Sequence, residues 1–216
     1  MPSSSAEKSK DGAKRGALST ESRDRDGEDA PAAGRQWLLF ALLATGVGLG
    51  WAISSVLSVH LITILQARNF DLAAAVALGA LVGPAQVSGR AVEMALGKHY
   101  HPVWTLVVSV VLVASGLGLL MISPSITAAA LICYGAGAGI ASIARGTLPL
   151  AIFGAAEYPI WIGRLAAPTL IAGAISPALA ALLLDQAGAM VTLYVLEGFA
   201  LVNVCVALLL LWNGHR

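Results

Sequence analysis

The chain has 216 residues, 57% of them hydrophobic and only 12% charged, with a formal net charge of +1 and a mean hydropathy of +0.80. Soluble domains carry about 25% charged residues. Here 14 of the 25 charged side chains fall in the first 35 positions, and the remainder are too sparse to solvate a globular surface, which excludes an ordinary water-soluble domain.

Residues 1–35 hold seven basic and seven acidic side chains among Ser, Ala and Gly, with almost no large apolar residue. Such a stretch buries too little surface to offset its chain entropy, so a disordered polar tail is expected there. The interleaved charge leaves no basic footprint for nucleic acid, and no apolar stretch suits a secretory signal.

From Gln36 onward, apolar runs alternate with short polar or proline-containing breaks, and about 20 such residues span the ~30 Å hydrocarbon core of a bilayer. Six runs qualify, over residues 37–65, 72–94, 103–122, 126–145, 165–184 and 189–212, which makes 36–212 a transmembrane domain with 213–216 outside it. The first contains Gly46, Gly48 and Gly50, where a helix can bend, and ends at Arg68, Asn69 and Asp71. The second is interrupted at Gly83-Pro84 and closes on Lys98, His99, Tyr100, His101 and Pro102. Ser123-Pro124-Ser125 separates the third from the fourth. A mixed connection with Pro149, Glu157, Pro159 and Arg164 leads to the fifth, and Asp185, Gln186 and Gly188 mark the last turn. The runs are continuous rather than alternating with period two, so the expected fold class is an all-α membrane bundle and not a barrel.

Positive residues collect on the cytoplasmic side of membrane proteins. With six spans, 12 of the 13 Lys and Arg residues lie on the side of the N-terminus and Arg68 alone lies opposite. Both termini are therefore expected in the cytoplasm. Cys133 and Cys205 sit in apolar runs without a partner at metal or redox spacing, which reads as buried thiols with no metal and no cofactor.

An internal echo relates the two halves. Gly46-Val47-Gly48-Leu49-Gly50 matches Gly135-Ala136-Gly137-Ala138-Gly139, and the second and fifth runs carry Pro84 and Pro177. Repeats of three helices are common in secondary transporters. The stretch Gly83-Pro84-Ala85-Gln86-Val87-Ser88-Gly89-Arg90 with Glu93, the stretch Arg145-Gly146-Thr147-Leu148-Pro149-Leu150, and Ser58-Val59-His60-Leu61 resemble the C-terminal six-helix half of a major facilitator superfamily (MFS) transporter. The likeness runs from about Trp37 to Trp212. It departs from the family at the loop after helix two, where Glu93 stands for an Asp but Met94 follows where an Arg is usual. The resemblance implies a 3+3 bundle, transport of a small-molecule substrate by alternating access, residence in a bacterial inner membrane, and a second six-helix half, from the same chain or separately encoded.

Polar groups inside a span are costly and mark pathways or partners. Gln86 and Arg90, one turn apart, share a helix face and offer donors to an anionic or carbonyl-bearing solute; otherwise Arg90 reaches the cytoplasmic surface or pairs with Glu93. Trp51 either bounds a cavity or faces lipid, and His60 lines an outer vestibule or lies at the interface. Glu197, about 12 Å into the last span, reads as a proton-coupling carboxylate or as a structural hydrogen-bonding group. Glu93, Arg145, Glu157 and Arg164 are gating-loop candidates on the cytoplasmic side, with topology as the alternative role for the arginines. No converging catalytic set is present: His60 is the one histidine within a span, no two acids share a helix face, and an enzyme is not expected. The alternative to a transporter half is a non-transporting scaffold or an inactive fragment, for which no polar-lined concavity is expected.

Overall fold

A computed structural model describes the backbone of residues 4–97 and 102–214 and the side chains of residues 34–97 and 102–212. Among the described residues everything outside short turns is helical and no strand occurs, in agreement with the all-α expectation. The elements are α1 (Ser4–Ala67), α2 (Leu72–Ala80), α3 (Val82–Leu96), α4 (Pro102–Ile122), a short 3-10 turn (Pro124–Ile126) and α5 (Thr127–Gly214). The tail expected over residues 1–35 falls almost wholly outside the described side chains, as does the polar set from Lys98 to His101. Internal contacts divide the chain into Met1–Leu39 and Phe40–Arg216, and the packed helices belong to the second unit.

The sequence specifies the end of α1 closely. Asn69 adopts φ 70°, a left-handed position that asparagine tolerates better than most residues. The Phe70 N–H donates to the Leu65 carbonyl at 3.2 Å and the Asn69 N–H to the Gln66 carbonyl at 3.0 Å, which is the Schellman pattern for satisfying last-turn carbonyls. Phe70 then packs on the apolar cluster that includes Leu65. Asp71 caps the next helix, its Oδ1 accepting from the Ala74 N–H at 2.7 Å. Asp71→Ala is expected to cost about 1 kcal/mol, read as a lower melting temperature in detergent.

α2 and α3 together form one apolar segment, Leu72–Leu96. It is interrupted at Leu81 because Pro84 has no N–H to offer the carbonyl four residues earlier. Among the described residues, four segments are long and apolar enough to cross a membrane: Gly34–Ala67, Leu72–Leu96, Pro102–Ile122 and Pro124–Trp212. Their outer faces stay apolar, with Val87, Leu170 and Tyr194 each more than 60% exposed. A bundle whose outside is this apolar is compatible with an integral membrane protein and far exceeds the patches a soluble monomer tolerates.

α5 has 88 residues, about 130 Å if straight and several times the ~30 Å hydrocarbon thickness. It is not straight. Gly154 (φ 74°, ψ 168°) and Gly188 (φ 83°, ψ 175°) break it into segments of residues 127–153 (α5a), 155–187 (α5b) and 189–214 (α5c). Only glycine occupies that region of φ/ψ space without strain. The Gly188 break coincides with the turn expected at Asp185-Gln186-Gly188. The mixed connection expected across residues 146–164 is instead helical on both sides of Gly154, so the fourth and fifth apolar runs extend beyond residues 126–145 and 165–184. Gly154→Ala and Gly188→Ala are each expected to cost about 1–3 kcal/mol, measurable as a loss of melting temperature that Gly146→Ala, mid-helix and facing open space, does not show.

Buried residues follow helical spacing. α1 contributes Ile53, Val56, Leu57, Leu61, Ile64 and Leu65, and α5c contributes Ala189, Leu193, Leu196 and Ala200 to the same cluster. α4 and α5a join it through Leu117, Leu120, Leu131 and Tyr134. The Gly-Ala-Gly-Ala-Gly run lies on α5a between two neighbours. Positions 135 and 139, one turn apart, meet Val82, Ala85 and Gln86 of α3, while Gly137 meets Ser109 and Val113 of α4. Alternate glycines thus serve opposite faces of one helix. The matching run in α1 remains helical, with Gly46 and Gly50 facing the Asn203 amide of α5c.

Candidate functional site

A cavity of about 770 Å³ opens between α1, α2, α3 and α5a, within the range of small-molecule sites. Trp51, Ser54, Ser55 and Ser58 reach it from one stripe of α1, because spacings of three and four residues keep them on one face. Leu61 and Ile62 continue the stripe. Val76 and Gly79 face them from α2, Gln86 and Arg90 enter from α3, and Tyr134 and Arg145 from α5a.

Arg145 lies over the Trp51 ring, its guanidinium carbon 4.8 Å from the centroid, a cation–π contact that gains strength where water is scarce. Trp51 is held from behind by Gly173 of α5b, where any Cβ would enter the indole. This seam has a simple origin. Pro177 has no N–H, so the Gly173 carbonyl loses its helical donor. The Ser55 hydroxyl of α1 supplies one instead, at 2.7 Å. One turn on, the His60 Nε2–H donates to the Pro177 carbonyl at 3.0 Å, and the Ser176 hydroxyl donates back to the Ala52 carbonyl at 3.4 Å. Ser55→Ala leaves the Gly173 carbonyl without its donor and is expected to cost about 1–2 kcal/mol, seen as a lower midpoint of thermal unfolding; Ser58→Ala, whose hydroxyl bonds only within α1, is the control.

Of the residues singled out from sequence, Gln86, Trp51, Arg90 and Arg145 are brought to this one cavity. His60 lies on α1 but is turned to α5b. Glu197, on α5c, is half-buried against Gly118 of α4; its Oε2 is buried without a hydrogen-bond partner, and it does not line the cavity. Glu93 is not paired with Arg90: its Oε1 accepts from the buried Thr105 hydroxyl of α4 at 2.6 Å. Glu157 and Arg164 meet at a different place, on Trp161. The indole N–H donates to Glu157 at 2.8 Å, the Arg164 guanidinium lies 5.0 Å from the ring centroid, and Phe153 stacks on the ring at 4.5 Å. The four gating candidates therefore divide between three sites rather than forming one closure.

The serine stripe, Tyr134 and the cavity role of Arg145 were not anticipated. The stripe was visible as Trp51, Ser54, Ser55 and Ser58 at helical spacing; Tyr134 had no signal, since its part depends on which face α5a turns to α1. A second, smaller space of about 30 Å³ lies behind Arg145, lined by Ser54, Ser109 and Asn203 among others. Asn203 is 5% exposed and its Oδ1 has no hydrogen-bond partner.

No protein-family model, curated protein or solved structure matches the chain.

Proposed function

We propose that the chain is an integral membrane protein that serves as one half of an alternating-access transporter, with the cavity between α1, α2, α3 and α5a as its side of the solute site. The observation that carries this reading is a concavity flanked by apolar helices yet lined by Gln86, Arg90, Tyr134 and Arg145. Charge and amide groups within a span are costly and mark pathways or partners, and their convergence on one concavity favours a solute site over a scaffold. The two breaks in α5 support a count of six spans: the apolar part of α1, α2 with α3, α4, and the three segments of α5. An even number of spans keeps both termini on one side, and the excess of Lys and Arg on that side favours the cytoplasm; the bacterial inner membrane is what the MFS resemblance suggests.

The resemblance to an MFS half fits this arrangement, in which two six-helix halves rock about a site at the midplane. A polar-lined cavity between helices is what such a half would present to its partner, either a second copy of this chain or a separately encoded half. Light scattering of the purified protein, corrected for detergent and run with and without co-expressed neighbouring genes, tests the assembly. A dimer or a one-to-one complex with another six-helix chain is expected; a monomer under every condition contradicts the two-half mechanism.

A further inference from the structure

We propose that the cavity takes a small amphipathic organic anion, its acid group held between Arg90 and Arg145 and its apolar tail lying toward Leu61, Ile62 and Val76. This inference rests on the cavity being the solute site.

The first argument is charge. Among the described residues, two guanidiniums line the cavity and no carboxylate does. The nearby acids are committed or turned away: Glu93 to Thr105 on α4, Glu157 to Trp161, and Glu197 to the α4 side of α5c. Among the described residues, no carboxylate partners either arginine. Two unpaired cations facing one space among apolar helices repel each other and cost free energy that an incoming anion would recover. A cationic solute meets the opposite condition and is excluded.

The second argument is the lengthwise change of chemistry. At one end Arg145 is fixed on the face of Trp51, with Arg90 and Gln86 one turn apart on α3. Eleven residues along α1, about 16 Å away, Ile62 and Leu61 close against Gly79 of α2 beside the exposed Val76. Hydroxyls of Ser54, Ser58 and Tyr134 line the cavity as well. An inorganic anion would leave the apolar end empty, and an apolar solute would leave the guanidiniums unmatched. A carboxylate accepts bidentate hydrogen bonds from arginine, while each methylene moved from water to the apolar end strengthens binding about fourfold.

The test is equilibrium binding to the full chain in lipid nanodiscs, using hexanoate, butyrate, hexylammonium and inorganic phosphate as probes. Hexanoate is expected to bind more tightly than butyrate by about tenfold or more, phosphate more weakly than hexanoate, and hexylammonium not at all. Arg90→Gln and Arg145→Gln are each expected to weaken hexanoate by about tenfold. Arg90 is exposed within the cavity, so its variant keeps the test valid where Arg145→Gln fails to fold, as judged by gel filtration. Equal hexanoate binding by the double variant means partition into lipid and overturns the proposal, as does hexylammonium binding as tightly as hexanoate. Hexanoate binding without flux in the assembled transporter would sink the transport reading and leave this one standing. Flux of a neutral solute with no hexanoate binding would do the reverse.

Discussion

Gly139→Leu is expected to abolish the folded bundle in detergent or to lower its stability by about 3 kcal/mol or more. Any Cβ at this position would overlap the Gln86 carbonyl of α3, and the same seam has Gly135 against Val82 and Ala85, and Gly89 against Ala136. Three glycines on two helices thus bring backbone to backbone, and backbone cannot step aside as a flexible side chain can. The consequence reaches the site directly, because Gln86 and Arg90 lie on the helix that would be displaced. Gly146→Leu is the matched control: it lies on the same segment of α5, and nothing stands within 4 Å of its Cβ position. Fluorescence-detected gel filtration over a temperature series reads both. Equal melting of the two variants contradicts the close approach of α3 and α5a.

Gly173→Leu is expected to have the second largest effect, about 2–3 kcal/mol, and to change the cavity as well as the stability. The new side chain would enter the space of the Trp51 indole, which supports Arg145 from below. It would also push apart the α1–α5b seam built on the Ser55–Gly173 and His60–Pro177 hydrogen bonds. Because the clash is with one side chain, Trp51→Ala should rescue part of the loss. A double-mutant cycle is expected to give a coupling of about 1 kcal/mol or more, whereas simple additivity would show that the two residues do not touch. Gly163→Leu, with open space at its Cβ position, should be nearly neutral.

The helical class of this protein was legible because hydrophobic length is a strong signal in a chain that has so few charges. The connection at residues 146–164 was not. Pro149, Glu157 and Pro159 are ordinary loop signals, yet the helix persists on both sides of them and the chain turns at Gly154, the position with φ 74°. A proline costs a helix one hydrogen bond, and a bundle can supply a substitute donor, as Ser55 does for the carbonyl freed by Pro177. A glycine that adopts a positive φ gives no local sign of it in the sequence. At the site, Gln86 and Arg90 could be paired from spacing on a single helix, and Trp51 from its place among polar and small residues. Arg145 reads from sequence as a gating-loop candidate or a topology marker at the end of a span, because its place at the cavity depends on the helix continuing to residue 153 and on the face α5a turns toward Trp51. The direction of Glu93 was equally hidden: one turn of helix permits a pair with Arg90, and only the packing of α4 offers it Thr105 instead.

If the space between α1, α2, α3 and α5a is the proposed solute site, it is open to water within the membrane. Thiol accessibility tests it most directly. Cys133 is partly buried and Cys205 exposed on the apolar helix surface, not buried as their sequence context suggests; with both replaced by alanine, Ser58→Cys places a thiol on the cavity wall, and Leu201→Cys places one on the exposed apolar surface of α5c. In intact membranes a charged, membrane-impermeant thiol reagent is expected to modify residue 58 and to leave residue 201 untouched. Modification at neither position, or at residue 201 alone, would contradict the account.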